Sequence, residues 1–554
     1  MKQTLKHRSL FRVGKWATLL ALLILSSASC KKELDKQPLS EFADATFWTS
    51  EQNALLALTG MYRGGITVNT GDIRPTDWWS YSGLLFLEMA TDNAYDRRGE
   101  TQAINRLTNG TLVNDNQLIG DYWTRSYAKI ARTNHFLENV GKTPMAEAKI
   151  KRMAAEARFM RAAQYFYLSQ YYGAVPLVIK VLTQEEANNV DKASKQQVVA
   201  FVESEMAAAA ADLPRHKDIP AAEFGRASKQ AALAFLGRIQ MAQGKWAEAA
   251  ATYKTIIDFG DNAIDPNYES LFNGTNESSN EIIFSCVYVE NLLGNSVMHK
   301  TYMAEKGGAV FFNPLANLVE SYEFTDGTPF SYADPRYDAA DPRRNRDPRL
   351  GYTVLVNGDV LTGIRYISHP DSTASKDQLT TTKGGTRTGY SLRKYMIDGF
   401  NGNIQATGND IVVLRYAEVL LSYLEAKLEA GDPIDQALLD ATINRVRGRA
   451  SVSMPPVTET SATALRPILR RERRVELACE GLRLWDLLRW NIAGTTLQGR
   501  FFGAAFPTAK TLRKDGAYND PAKRWFVTKK AFRAGQDEQW PIPLGEVNIN
   551  PKLK

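Results

Sequence analysis

Ala231-Ala-Leu-Ala-Phe-Leu-Gly-Arg-Ile-Gln-Met-Ala-Gln243, then Gly244-Lys245-Trp246, then Ala247-Glu-Ala-Ala-Ala-Thr-Tyr-Lys-Thr-Ile-Ile257 is the stretch whose reading decides the fold class. Alanine, leucine, methionine and glutamine lose little freedom in a helix, so both flanks favour one. Gly244 interrupts them, because glycine stops a helix and opens a turn. The small alanines on each flank allow two helices to approach closely, and an aromatic sits just after the turn. The expectation is a helical hairpin within residues 226–257.

The same patterning continues outward. Residues 150–172 carry Met153, Ala157, Met160, Tyr167 and Tyr171 on one helical face, with Phe159, Ala163 and Phe166 on another. A helix apolar on two faces is buried among neighbours, and Gly173 and Pro176 supply its stop. Residues 51–62, 116–140 and 195–213 read as further helices, the second with Leu118, Tyr122, Trp123, Ile130 and Phe136 near helical spacing. Composition changes at about Asp258. From there to about Asp410 the chain is rich in Gly, Asn, Asp, Thr and Pro, with strand-like pieces at Glu281–Val289 and Tyr352–Val356. Helices resume at 411–430, 435–449 and 465–490, and the tail from Asn491 reads as irregular. The hairpin resembles a tetratricopeptide unit, although no clean 34-residue period is present. The expected fold class is mainly α: tetratricopeptide-like helical hairpins with a long loop-rich insertion carrying a few short strands.

The amino terminus reads as an export signal. Lys2, Lys6, Arg8, Arg12 and Lys15 precede an apolar run from Trp16 to Leu25 broken only by Thr18, and Ser26 to Ser29 are small. Ten residues are too few to span a bilayer. Cys30 follows at once, where a lipoprotein signal peptidase needs a cysteine to carry lipid; Ser27 stands where Leu is usual, so the match is loose, and ordinary cleavage leaving a free thiol is the alternative. The expected organisation is a signal peptide over 1–29, a lipid-anchored polar tether over 30–50, and one body over 51–554. Within the body, 51–257 and 411–490 form a helical scaffold, 258–410 the loop-rich ligand side, and 491–554 the tail.

The chain carries a net charge of +7. Five of its bases lie in residues 1–29 with no acid, so the remainder carries +2, which gives no footing for a nucleic-acid partner. Cys286 and Cys479 both sit in apolar contexts and read as two buried free thiols. No metal site and no cofactor are expected. His135, His216, His299 and His369 show no ligand spacing, and there is no nucleophile elbow or phosphate loop.

Several phrases occur together in order. They are Glu156-Ala-Arg-Phe-Met-Arg-Ala-Ala-Gln-Tyr-Phe-Tyr-Leu with Tyr172-Gly-Ala-Val-Pro-Leu177, and Arg226-Ala-Ser-Lys-Gln-Ala-Ala-Leu-Ala-Phe-Leu-Gly-Arg238. Leu414-Arg-Tyr-Ala-Glu-Val-Leu-Leu421, Ile443-Asn-Arg-Val-Arg447, Arg470-Arg-Glu-Arg-Arg-Val-Glu-Leu-Ala478 and Asp486-Leu-Leu-Arg-Trp490 follow, with Trp540-Pro-Ile-Pro543 and Asn550-Pro551 near the end. Together they resemble the SusD/RagB family of outer-membrane nutrient-binding lipoproteins of Bacteroidetes. The resemblance implies a lipid-anchored protein facing the cell exterior and docked on a SusC-like TonB-dependent transporter. It also implies capture of oligosaccharides, or in some members peptides or other solutes, without catalysis. The arginines of 470–474 read as structural ion pairs, with Arg473 and Glu476 paired locally.

Sugar binding needs flat apolar surfaces and planar polar groups. Asp77-Trp78-Trp79-Ser80-Tyr81 followed by Asp92-Asn93-Ala94-Tyr95 supplies both, and its position resembles the family region that often contributes to the glycan site. Trp78, Trp79, Tyr81, Asp92 and Asn93 are therefore candidate ligand residues; the alternative is that one tryptophan is core and the other meets the transporter. A second group is Asn295, His299, Tyr302, Phe311 and Phe312 in a glycine-punctuated loop, where the alternative is that the aromatics only support the loop. Tyr302 completes the candidate set. The Asp-Pro pairs at 334, 341 and 347, interleaved with Arg336, Arg343, Arg344, Arg346 and Arg349, read as a salt-bridged turn region.

Overall fold

The computed structural model describes residues 47–62 and 75–554. The signal segment, Cys30 and most of the expected tether lie outside the described residues. Of the expected tether only its last residues are described, and there Trp48 is buried against His135 and Phe136.

The principal helices are α1 (Glu51–Tyr62), α2 (Gln117–Asn139), α3 (Glu147–Tyr171), α4 (Lys195–Asp212), α5 (Lys229–Ala242), α6 (Trp246–Phe259), the short α7 (Val297–Thr301), α8 (Tyr416–Glu429) and α9 (Ala462–Glu476). Each scaffold helix packs on the next in sequence from α2 to α6, and α8 then covers α6. Local chemistry explains several starts. The Asn116 side chain accepts the Leu118 N–H ahead of α2, Ser194 and Gln197 form a capping box on α4, and Ser228 accepts the Ala231 N–H on α5. Gly237 lies inside α5, where glycine costs about 1 kcal/mol against alanine. A Cβ there would stand 2.5 Å from the Tyr253 ring of α6, so the glycine is what lets the hairpin close. The fold is mainly helical as expected, and α3 is buried on both apolar faces.

Strands occur among the described residues only as two-stranded antiparallel pairs. β1 (Ala94–Asp96) pairs with β3 (Phe312–Pro314), β2 (Ile282–Cys286) with β4 (Ile411–Arg415), and β5 (Gln498–Ala505) with β6 (Arg524–Ala531). Two expectations are corrected here. Residues 411–415 are strand rather than helix, because Ile411, Val412 and Val413 are β-branched and the segment finds a partner in β2. The tail is not irregular throughout: β5 and β6 are the longest strands described, and a pairing partner thirty residues away is invisible to local patterning.

The loop-rich region is held to the scaffold by buried charge. Glu476 accepts hydrogen bonds from Arg349 at 2.8 Å, Arg415 at 2.6 Å and Arg449 at 2.5 Å, all in the interior. The arginines of α9 are in structural ion pairs, but not the local one. Arg473 reaches Asp486 at 2.8 Å, on the next helical segment, and not Glu476. The Asp-Pro segment is salt-bridged as expected, with Arg336 on Asp334 at 2.7 Å and Arg349 on Asp347 at 2.7 Å. Both described cysteines are free; Cys479 is buried, while Cys286 is only half-buried.

Candidate functional site

The six side chains singled out from sequence lie in the interior: Trp78, Trp79, Tyr81, Asp92, Asn93 and Tyr302 are 0%, 1%, 8%, 2%, 1% and 2% exposed. The Trp79 indole N–H has no hydrogen-bond partner among the described residues, while the polar groups of Trp78, Asp92, Asn93 and Tyr302 are engaged within the protein. Trp78 stacks on Tyr122 at 4.0 Å and on Tyr167 at 4.6 Å, and its indole N–H donates to Ser126 at 2.8 Å. Trp79 packs against Phe159 and Phe284, and Lys129 lies 4.9 Å from its ring centre while pairing with Asp77. Asp92 takes both Arg474 and Arg483 at 2.9 Å. Burial alone would raise its carboxyl, yet the two guanidiniums hold it far below the ordinary carboxylate range. Asn93 bridges Glu88 and Arg474, and the Tyr302 hydroxyl meets that of Thr362 at 2.6 Å. The expectation that these side chains face a ligand meets the finding that all six are buried: they offer little free face at the surface.

The two candidate segments nevertheless come together. The β1–β3 pairing sets Tyr95 opposite Asn313 and Asp96 opposite Phe312, so the two candidate segments, about two hundred residues apart, meet at one place. The Arg97 N–H continues the ladder to the Phe311 carbonyl at 3.1 Å. Phe312 is buried beneath, as is Asn295, while Phe311, Arg97, Arg98 and His299 stand half-buried at the rim. Phe311 is placed by α7: Ala309 N–H donates to the His299 carbonyl and Phe311 N–H to that of Lys300, both at 2.7 Å. Gly307 and Gly308 make the return possible. Gly307 has φ +80°, and a Cβ on Gly308 would sit 2.1 Å from the Tyr302 carbonyl oxygen. Val310 is held at φ +51°, a costly conformation for a β-branched residue of the kind that gathers at functional sites.

Around Phe311 the polar groups are planar and open. The Arg98 guanidinium lies 4.7 Å and that of Arg97 5.4 Å from its ring centre. Arg98 pairs with Asp96 and also lines a cavity of about 410 Å³, together with Phe86, Gln102, Arg106 and Gln117. Arg387 approaches from the 380–388 loop, its N–H donating to the Asn313 side chain at 2.7 Å and its Nε to the Arg97 carbonyl at 3.2 Å. That cavity, with Phe86 and the donors of Arg98, Gln102, Arg106 and Gln117 in its wall, has the size of a small-molecule site beside the Phe311 rim. A second groove of about 600 Å³ runs past Phe330, Tyr332, Tyr337 and Pro507. Its rings are occupied edge-to-face with one another, and its Arg524 is neutralised by Asp520 and Glu320, so fewer of its groups are free.

Sequence reasoning passed over Arg97, Arg98 and Arg387. Arg97 and Arg98 directly follow the segment it chose, but only the pairing with β3 turns them outward beside an aromatic ring.

Comparison with known proteins places this architecture. Residues 270–554 match the model of the SusD family. The chain belongs to that family. Residues 78–241 match a second model described as starch-binding, associating with the outer membrane. A crystal structure of a SusD-like carbohydrate binding protein from Bacteroides fragilis superposes with a TM-score of 0.89 at 48% identity, covering 92% of this chain and 100% of the other. SusD-like protein P25 of Formosa agariphila is 25% identical over 560 residues, 96% of each chain. The starch-binding protein SusD of Bacteroides thetaiotaomicron is 23% identical over 97% of each. SusD membership accounts for the helical scaffold and for the order of the phrases along the chain.

Proposed function

We propose that this SusD-family chain is a non-catalytic glycan-capture protein of the cell surface. In this reading Cys30 carries the lipid that anchors it to the outer membrane. Its oligosaccharide is passed to a SusC-like TonB-dependent transporter. No described helix is long and apolar enough to cross a membrane, which accords with attachment by lipid. The observation that carries the proposal is the rim around Phe311. A half-buried aromatic ring and the planar guanidiniums of Arg97 and Arg98 meet there, and Arg98 also lines the neighbouring cavity of about 410 Å³. The relative 48% identical over nearly the whole chain is named for carbohydrate binding, which supports the same reading.

Binding follows from the chemistry of these groups. The C–H face of a pyranose rests against the aromatic edge, and the guanidiniums bind hydroxyls in directions set by their backbone anchors. Such contacts give a moderate affinity, which release to a transporter requires. Calorimetry of the purified chain against a panel of plant, microbial and host oligosaccharides tests this, with chromatography of the mixtures for products. Binding without turnover is the expected result, together with loss of that binding in Phe311→Ala at unchanged melting temperature. Appearance of cleavage products, or full binding by the Phe311 variant, overturns it.

A further inference from the structure

The arginines beside the site differ from most of those in the rest of the molecule. Elsewhere, most guanidiniums at depth are neutralised by carboxylates: Arg349, Arg415, Arg449 and Arg489 each pair with Asp or Glu at 2.9 Å or less, whereas Arg346, alone among the described residues, stands on the Val319 and Tyr322 carbonyls like the arginines of the site. Arg97, Arg387 and Arg513 are half-buried and have no carboxylate within salt-bridge distance among the described residues. Backbone carbonyls hold them instead. Arg97 Nε donates to Ala309 at 2.7 Å, Arg387 donates to the Arg97 and Thr380 carbonyls, and Arg513 donates to Val527 at 3.1 Å. Each keeps further N–H groups with no acceptor among the described residues.

The nearby carboxylates are already committed. Asp96 is taken by Arg98 at 2.5 Å, and Glu100 accepts the Tyr95 hydroxyl at 3.0 Å. The three cations also feel one another. Burial lowers the proton affinity of Arg97, Arg387 adds to it and the Arg98-bound Asp96 opposes it; burial does the same at Arg387, where Tyr95 opposes and Arg513 adds. Gly384 passes beside them, its Cβ position 4.0 Å from an Arg97 Nη. Partly desolvated like charges held together without counter-charge are costly. A fold that anchors them on carbonyls leaves them preorganised for an anion supplied from outside, because planar guanidinium forks match carboxylate and sulfate oxygens.

Resting on the glycan reading of the Phe311 rim, we infer that the site selects anionic oligosaccharides. Arg97, Arg387 and Arg513 would bind the uronate carboxylate or sulfate ester of the sugar beside the one resting on Phe311.

Calorimetry with matched probes tests this: oligogalacturonate and its methyl ester, and chondroitin sulfate oligosaccharides with and without chemical desulfation, each beside a neutral plant glycan panel. The expected result is binding of an acidic probe with loss of at least about tenfold on esterification or desulfation, weakening further as salt is raised. Which pair responds distinguishes carboxylate from sulfate. Arg387→Gln should lose about tenfold in affinity for the acidic probe and Arg387→Lys less, both at wild-type melting temperature. Binding of neutral glycans as tightly as acidic ones, unaltered by Arg387→Gln, overturns this inference and leaves glycan capture standing. Binding of no oligosaccharide of either kind overturns both.

Discussion

Replacing Glu476 by glutamine tests how the loop-rich region is held. Its carboxylate sits in a cluster of six cations, Arg349, Arg415, Arg447, Arg449, Arg471 and Lys394, against six carboxylates, Asp347, Glu281, Glu323, Glu472, Glu476 and Glu480. The cluster is neutral as it stands. Glutamine preserves volume but leaves one uncompensated positive charge, and it falls hardest on Arg449, which keeps only Glu281. Breaking a buried pair from one side costs about 3–5 kcal/mol, and three shortened contacts at one carboxylate place this site within that range. Urea unfolding followed by tryptophan fluorescence reads it, with Glu147→Gln as a control in an exposed i,i+4 pair where no measurable change is expected. Acid dependence supplies a second readout. Burial would raise the Glu476 carboxyl, yet Arg449, Arg415 and Arg349 hold it well below the usual 4.5. It therefore contributes stability that is full above about pH 4.5 and declines as pH falls below that value. The wild-type and variant stabilities should converge on acidification. A loss below about 1 kcal/mol near neutral pH, or a constant gap down to pH 3, would refute the reasoning.

Three further outcomes are expected. Trp78→Ala should destabilise by about 3–5 kcal/mol, the usual cost of emptying a buried aromatic site, giving poorly folded protein; a soluble variant with native melting would return Trp78 to the binding surface. Asp410 is pushed up to about 7 by burial and by Glu277, so the stability of its protonated form is complete below about pH 3.8 and is lost as pH rises through about 7. Asp410→Asn should therefore melt higher than wild type at pH 8 and equally near pH 4, and scanning calorimetry at both values decides it. Gly308→Ala should displace the 307–311 turn, because its Cβ would meet the Tyr302 carbonyl. Glycan affinity should then fall, and unchanged affinity would detach Phe311 from the site.

Local chemistry alone determined the scaffold. Alanine-rich flanks around Gly244 can form only a close helical hairpin, and α3 is so apolar on two faces that it must be buried. Those properties belong to residues within a few turns of one another, and they survive in the folded molecule almost unchanged. Where partners are distant the sequence was silent or misleading. Ile411–Arg415 became strand because β2 stands beside it, and Glu476 chose three arginines far away over its neighbour Arg473. The site shows the same division. The segments around Asp92–Tyr95 and His299–Phe312 were legible as loop-rich, aromatic and polar. Which side chains faced out was not, because Trp and Tyr suit a core and a sugar platform equally well. Only tertiary packing decided it: Trp78 is stacked on Tyr122 and Tyr167, Asp92 is paired with Arg474 and Arg483, and the β1–β3 register, joining segments two hundred residues apart, brings Arg97 to Phe311 at the rim.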